Sequence, residues 1–193
     1  MNTIPLTDPA VERIKSLVPE PYHAQTWIAG SAATNWGQNN DVDAWVCHIT
    51  YDNERPLFQR FNELGRVPDF GEEHYADGSM MLYAQDGLHI LANYESIASV
   101  VMNFDISCHA AAINIVTGEQ FVHPAYTPLV RPINWMSAPK TLLRVLKFAE
   151  RYYDRTAYRA PECQALAIAT FRLPKVTSAE VEMVKLLKLQ EGL

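Results

Sequence analysis

Residues 26 to 46 restrict the possible folds of this chain more than any other stretch. Thr26-Trp27-Ile28-Ala29 is a short apolar run ending on Gly30-Ser31, and nine residues later the chain reads Asp41-Val42-Asp43-Ala44-Trp45-Val46. A strand, a small-residue turn entering a helix, and a second strand account for that order. Side chains alternate along a strand, so a strand beginning at Asp41 projects both carboxylates from one face, roughly 7 Å apart at Cα. Two hard oxygen donors so spaced suit Mg2+, which takes carboxylates together with phosphate oxygens rather than an all-protein cage. Gly30-Ser31 stands where backbone N–H groups can point at phosphate. The plainer account of the same residues is a turn, a capped helix and a solvated strand edge.

The rest of the chain alternates helix and strand without repeats. Asp8-Pro9 opens a helix carrying Val11, Ile14, Leu17 and Val18, with Asp as cap and Pro in the first turn. The strand from Asp41 runs on to Thr50, and Glu54 to Leu64 is a helix with Leu57, Phe58, Phe61 and Leu64 on one face. Met80 to Ala84 and Leu88 to Asn93 read as a hairpin around Gln85-Asp86-Gly87 and as the middle of a sheet. Ser96 caps a short helix to Met102, Phe104 to Val116 reads as one long strand, and Thr117-Gly118-Glu119 turns it back to Phe121-Val122. From Ala138 the period becomes helical, over Pro139 to Tyr153 and again over Ser178 to Leu189. The expected architecture is a single compact α/β unit, with residues 1–135 as its core and 136–193 as a helical C-terminal part packed on that core.

With 48% of 193 residues apolar, the chain can bury a sizeable core. A net charge of −6 argues against general coating of polyanions, so any nucleic-acid contact must be local. Three cysteines without framework spacing fit a reducing compartment. No secretory signal is visible, no apolar run approaches the roughly 20 residues that cross a bilayer, and the cytoplasm is the expected location.

A third carboxylate, Asp105, lies in the apolar run Phe104-Asp105-Ile106-Ser107. An ionised side chain there is costly unless it is paired or coordinates a metal, and both readings are open: metal ligation, or pairing with a buried Arg. Three carboxylates on neighbouring strands can hold two divalent ions about 4 Å apart, and Asp105 could also accept the nucleophile's proton.

Gly30-Ser31, the gap, Asp41-Val42-Asp43 and the later Asp105 together resemble the signature of the DNA polymerase beta-like nucleotidyltransferase superfamily. Asn103 to Cys108, with Thr141 to Phe148, further resembles uncharacterised small nucleotidyltransferase-fold proteins of phages and large viruses, which would place the chain in a host cytoplasm. The resemblance spans roughly residues 25 to 155. It implies a mixed β-sheet flanked by helices, and transfer of a nucleoside monophosphate from an NTP to an acceptor with release of pyrophosphate. By the family's pattern Gly30 and Ser31 contact the terminal phosphates, Asp41 and Asp43 bind both Mg2+ or Mn2+ ions, and Asp105 binds the catalytic one. No familiar acceptor-binding extension is recognisable, so the acceptor is open among RNA or tRNA, protein and a small molecule, and so is the oligomeric state. The rival reading is a catalytically weak or inactive nucleotide-binding module of the same fold.

Arg144 and Lys147 lie three apart on the helix Pro139 to Tyr153, where they either clamp the triphosphate or form a solvated basic face. Arg151, Arg155 and Arg159, interleaved with Tyr152, Tyr153 and Tyr158, could stack a base or contact RNA, although such tyrosines are more often core edges. Trp36 and Asn35 either shape the nucleotide pocket or, for Trp36, anchor the core. Cys47-His48 and Cys108-His109 suggest zinc by type, but neighbours on a strand face opposite ways, which favours buried thiols and ordinary histidines.

Overall fold

The computed structural model describes residues 1–34, 41–50, 52–135 and 137–171. The expected helix Ser178 to Leu189, and Asn35 and Trp36, lie outside the described residues. The chain divides into two compact units, one of residues 1–102 and 109–123, the other of residues 103–108 and from 124 onward. No helix among the described residues is long and apolar enough to cross a membrane.

The first unit is built on seven strands: β1 (Thr26–Ala29), β2 (Val42–Val46), β3 (Phe70–His74), β4 (Met80–Ala84), β5 (Leu88–Ala92), β6 (Ala111–Asn114) and β7 (Gln120–Val122). Their order across the sheet is β3-β4-β5-β2-β1-β6-β7, so β2 is central and the hairpin of β4 and β5 lies to one side of it. Strands β2 and β5 pair in parallel and the remaining neighbours antiparallel, which makes the sheet mixed. Alternation sorts the two faces. Leu82, Ile90, Ala44, Ile28 and Ile113 sit opposite one another from β4 to β6, and each is buried to 5% exposure or less. Helices α1 (Pro9–Leu17) and α3 (Glu54–Leu64) add Val11, Ile14, Leu17, Leu57, Phe61 and Leu64 to the same core. Each such side chain contributes roughly 1.5–3 kcal/mol by leaving water.

Local signals set the ends of these elements. The Asp8 carboxylate accepts from the Ala10 N–H at 2.9 Å at the start of α1. At its other end the His23 ring Nε2 lies 3.0 Å from the Lys15 carbonyl and 2.8 Å from that of Val18, so Nε2 carries the hydrogen and serves carbonyls the helix leaves unpaired. The Ser96 hydroxyl accepts from the Ser99 N–H ahead of α4 (Ile97–Met102). Gly87, at φ +89°, closes the β4–β5 hairpin at the expected Asp-Gly.

The long strand expected over Phe104 to Val116 does not form. Asp105 lies at a bend, Ile106 makes an isolated bridge to Pro132, Ser107–His109 is a 3-10 turn, and only β6 joins the sheet. The Ser107 hydroxyl donates to the Leu129 carbonyl at 2.7 Å and accepts from the Arg131 N–H at 3.0 Å, which binds this segment to a loop instead of a ladder. At the far end the Asn114 side chain accepts from the N–H groups of Val116 and Thr117 and starts the turn two residues early. Strand β2 stops at Val46, short of Thr50, and His48 takes φ +56°. Edge strand β3 carried no sequence signal, because Phe-Gly-Glu-Glu-His has no apolar alternation. Gly71 within it faces the Tyr83 ring, which a Cβ would meet at 2.4 Å.

The second unit contains α5 (Ala138–Arg151), a 3-10 turn (Ala157–Arg159) and α6 (Pro161–Phe171). Leu142, Val145, Leu146 and Ala149 of α5 pack with Ala157, Cys163, Leu166, Ile106 and Val130. A buried polar clasp ties the loop before α5 to the chain after it. Arg131 Nη1 donates to Asp154 Oδ2 at 3.2 Å, Nη2 donates to the Thr156 hydroxyl at 2.8 Å, and Asp154 also accepts from the Val130 and Thr156 N–H groups. Burial raises the Asp154 pKa, but the Thr156 hydroxyl, the Val130 N–H, Arg131 and the Thr156 N–H outweigh it and hold the carboxyl below its usual range. A depressed carboxyl stabilises the fold above its unfolded pKa, and that contribution disappears as pH falls through the folded value. Asp154→Asn is expected to lower stability in urea unfolding at neutral pH by about 2 kcal/mol. The gap from the parent protein should narrow as pH falls below the usual carboxylate range, through the depressed folded value.

Candidate functional site

In the first unit Gly30 ends β1 at φ +75°, a conformation that costs a side chain about 1–2 kcal/mol. Its N–H donates to the Ala111 carbonyl at 3.0 Å, and its own carbonyl accepts from the Ala33 N–H and the Thr34 hydroxyl. The turn is thereby fixed between β6 and the short helix α2 (Ser31–Thr34), with Ser31 half-buried at its start. Asp43 stands in β2, directly across from Ala29 on one side and His89 on the other. The same face carries a row through the sheet: Tyr83, His89, Asp43, Ala29, Ala112. Small residues on the β1 and β6 side leave Asp43 room, and its side chain is 48% exposed.

The Asp43 carboxylate is oriented. Oδ1 lies 3.0 Å from His89 Nδ1, and Oδ2 lies 3.9 Å from the position a Cβ on Gly30 would occupy. Asp41, exposed, directly precedes β2. Gly30, Asp43 and His89 are therefore brought together, with Ser31 and Asp41 next to them along the chain. His89 was not singled out from the sequence. Its signal was a lone polar residue at the alternate position of Leu-His-Ile-Leu-Ala, pairing with an acidic strand that only the sheet order reveals.

Asp105, Arg144 and Lys147 belong to the second unit. Asp105 Oδ1 lies 2.9 Å from Arg144 Nη1, and Oδ2 accepts from the Thr141 hydroxyl at 3.2 Å. Oδ1 is sealed from solvent and no donor points along its lone pairs, so the Arg144 contact is charge attraction rather than an aligned hydrogen bond. Of the two readings open for Asp105, pairing with an arginine is the one its immediate surroundings display. Arg144, Lys147 and Arg151 stand over the Phe148 ring at 5.9, 5.6 and 5.7 Å. Lys147 forms no ion pair among the described residues. Arg155, Arg159, Tyr153 and Tyr158 line a hollow of about 710 Å³ on this unit.

Among the described residues no three His, Cys, Asp or Glu side chains gather as a metal-ligand cluster. Asp41 and Asp43 carry hard oxygen donors of the kind that Mg2+ or Mn2+ takes together with substrate oxygens and water. Burial pushes the Cys47 and Cys108 thiols up to about 12 and Cys163 up to about 11, so all three are protonated at neutral pH.

The fold is nucleotidyltransferase-like: a mixed seven-stranded sheet with flanking helices. It is similar to a CCA-adding enzyme in complex with CTP, at TM-score 0.56 and 16% identity over 92% of this chain and 46% of that one. It is also similar to the Thermotoga maritima CCA-adding enzyme complexed with tRNA, at TM-score 0.51 and 13% identity over 94% of this chain and 52% of that one. The chain thus spans about half the length of these solved structures. No protein-family model matches the chain, and no curated protein matches it in sequence.

If Arg144 neutralises Asp105, Arg144→Ala should cost about 1 kcal/mol, a figure kept low because Arg144 is 48% exposed. Asp105→Asn in that background should recover part of the loss, because a neutral amide needs no counter-ion. Urea unfolding of the two single variants and the double variant reads this coupling.

Proposed function

We propose that the protein is a metal-dependent nucleotidyltransferase that moves a nucleoside monophosphate from an NTP to an acceptor. The observation that carries this reading is the Asp43 carboxylate, held by His89 at Oδ1 and turned at Oδ2 toward the positive-φ Gly30 turn, in a nucleotidyltransferase-like fold. An acceptor hydroxyl oxygen attacks the α-phosphorus in line, its proton passes to solvent as the new P–O bond forms, and the bond to the bridging oxygen breaks to release pyrophosphate. Asp41 and Asp43 would hold Mg2+ or Mn2+, which would supply Lewis-acid stabilisation of the phosphate charge. Gly30 lets the backbone approach the phosphates where a side chain would intervene, and Ser31 adds a hydroxyl beside it. Lys147 and Arg144 as cations for the triphosphate rest on the sequence reading alone, and the charge of Arg144 is engaged by Asp105. Asp105 as a third metal carboxylate rests on the sequence resemblance alone. Of the acceptors considered, RNA is favoured by the likeness to an enzyme solved with tRNA.

One observation favours a second reading, a nucleotide-binding module with weak or no turnover: Asp105 already has an arginine partner. Incubation with α-labelled NTPs, Mg2+ or Mn2+, and an extract of RNA and protein separates the two. The transferase reading expects label on a macromolecule, with Asp41→Ala and Asp43→Ala each reducing transfer about 100-fold or more. Lys147→Ala should raise KM for the NTP about tenfold. NTP binding by calorimetry without transfer selects the module, and absence of both rejects the site.

A further inference from the structure

His89 serves no purpose that packing explains. It is a polar residue in an apolar strand, its side chain is 42% exposed, and its ring is turned onto a carboxylate. The register makes this meeting obligatory. Val42 pairs with Leu88 and Ala44 with Ile90, all four buried to 6% exposure or less, so a one-residue slip of β5 would drive His89 into the core and a slip of β2 would do the same to Asp43. An ionised carboxylate only accepts hydrogen bonds, so Nδ1 carries the hydrogen and donates it to Asp43 Oδ1.

We propose that His89 is a positioning residue for the cation-binding carboxylate. By holding Oδ1, it stops the carboxylate from rotating and presents Oδ2 toward the Gly30 turn, where the metal-bound phosphates of the substrate would lie. The inference rests on the reading of Asp43 as a ligand of Mg2+ or Mn2+. An exposed carboxylate otherwise rotates freely about its last torsion, and a cation that needs two fixed donors would have to restrict that motion itself. A hydrogen bond already in place removes this cost, as partners of metal ligands do elsewhere.

The test uses two substitutions that separate the hydrogen bond from the bulk of the ring. His89→Asn keeps an N–H donor near the position of Nδ1, and His89→Leu keeps apolar volume without a donor. Titration of the full chain with Mn2+ alone, read by electron paramagnetic resonance, should show affinity about tenfold weaker in His89→Leu and within about threefold of the parent in His89→Asn. Asp43→Ala should abolish the site. If His89→Leu binds Mn2+ like the parent, or His89→Asn binds as weakly as His89→Leu, the positioning role is overturned while the carboxylate site stands. If the parent binds no Mn2+, or Asp43→Ala binds as tightly as the parent, the site fails and the inference fails with it. Nitrogen NMR of the histidine-labelled parent protein gives a reading that does not depend on any variant folding. A His89 ring protonated at Nδ1 supports the hydrogen bond, and a ring protonated at Nε2 alone overturns it.

Discussion

The parallel pairing of β2 with β5 is the constraint on which the first unit depends. Parallel neighbours cannot be joined by a tight turn, so after β2 the chain crosses by α3 and comes back through β3 and β4 of the same sheet before it reaches β5. Register in the pair is set by four buried apolar side chains, and because the side-chain period is two, the same register decides what stands on the opposite face. One set of hydrophobic contacts thus builds the core and also brings an acid on β2 beside a histidine on β5. The placement of Asp43 beside His89 depends on Val42, Ala44, Leu88 and Ile90 as much as on the two residues themselves.

The second unit faces a different problem, that of carrying charge among apolar helices. Asp154 is met by Arg131, a hydroxyl and two backbone N–H groups, and its ionised form is favoured as a result. Asp105 has a looser arrangement, with Arg144 at one oxygen and Thr141 at the other, and that oxygen facing Arg144 has no aligned donor. Both acids show that a buried carboxylate needs a partner, but the need does not say which partner it will have. A metal and an arginine satisfy the same requirement. This is why an acid in an apolar run cannot be assigned a catalytic role from its burial alone.

Much of the fold could be read along the chain wherever a local rule was strong. The Asp8 cap, the stripe on α3, the Asp-Gly hairpin and the Ser96 cap are each decided within a few residues, and each formed where expected. Reading failed where a distant group competed with the local preference. The apolar run after Phe104 has the composition of a strand, yet the Ser107 hydroxyl bonds to Leu129 and Arg131 and diverts it. Strand β3 has the composition of a loop, and it forms because β4 offers an edge and Gly71 leaves space for Tyr83.

For the candidate site the division is similar. The amino-acid order by itself determined a small-residue turn at Gly30, two carboxylates one residue apart at the start of a strand, and a helix bearing Arg144 and Lys147, because turn chemistry and the two periods act over short distances. Only the tertiary structure decided that His89 would hold Asp43, and that Asp105 would sit at a bend against Arg144 rather than in a strand. Those choices turn on strand order and on contacts between residues 36 to 46 positions apart, which no local periodicity encodes.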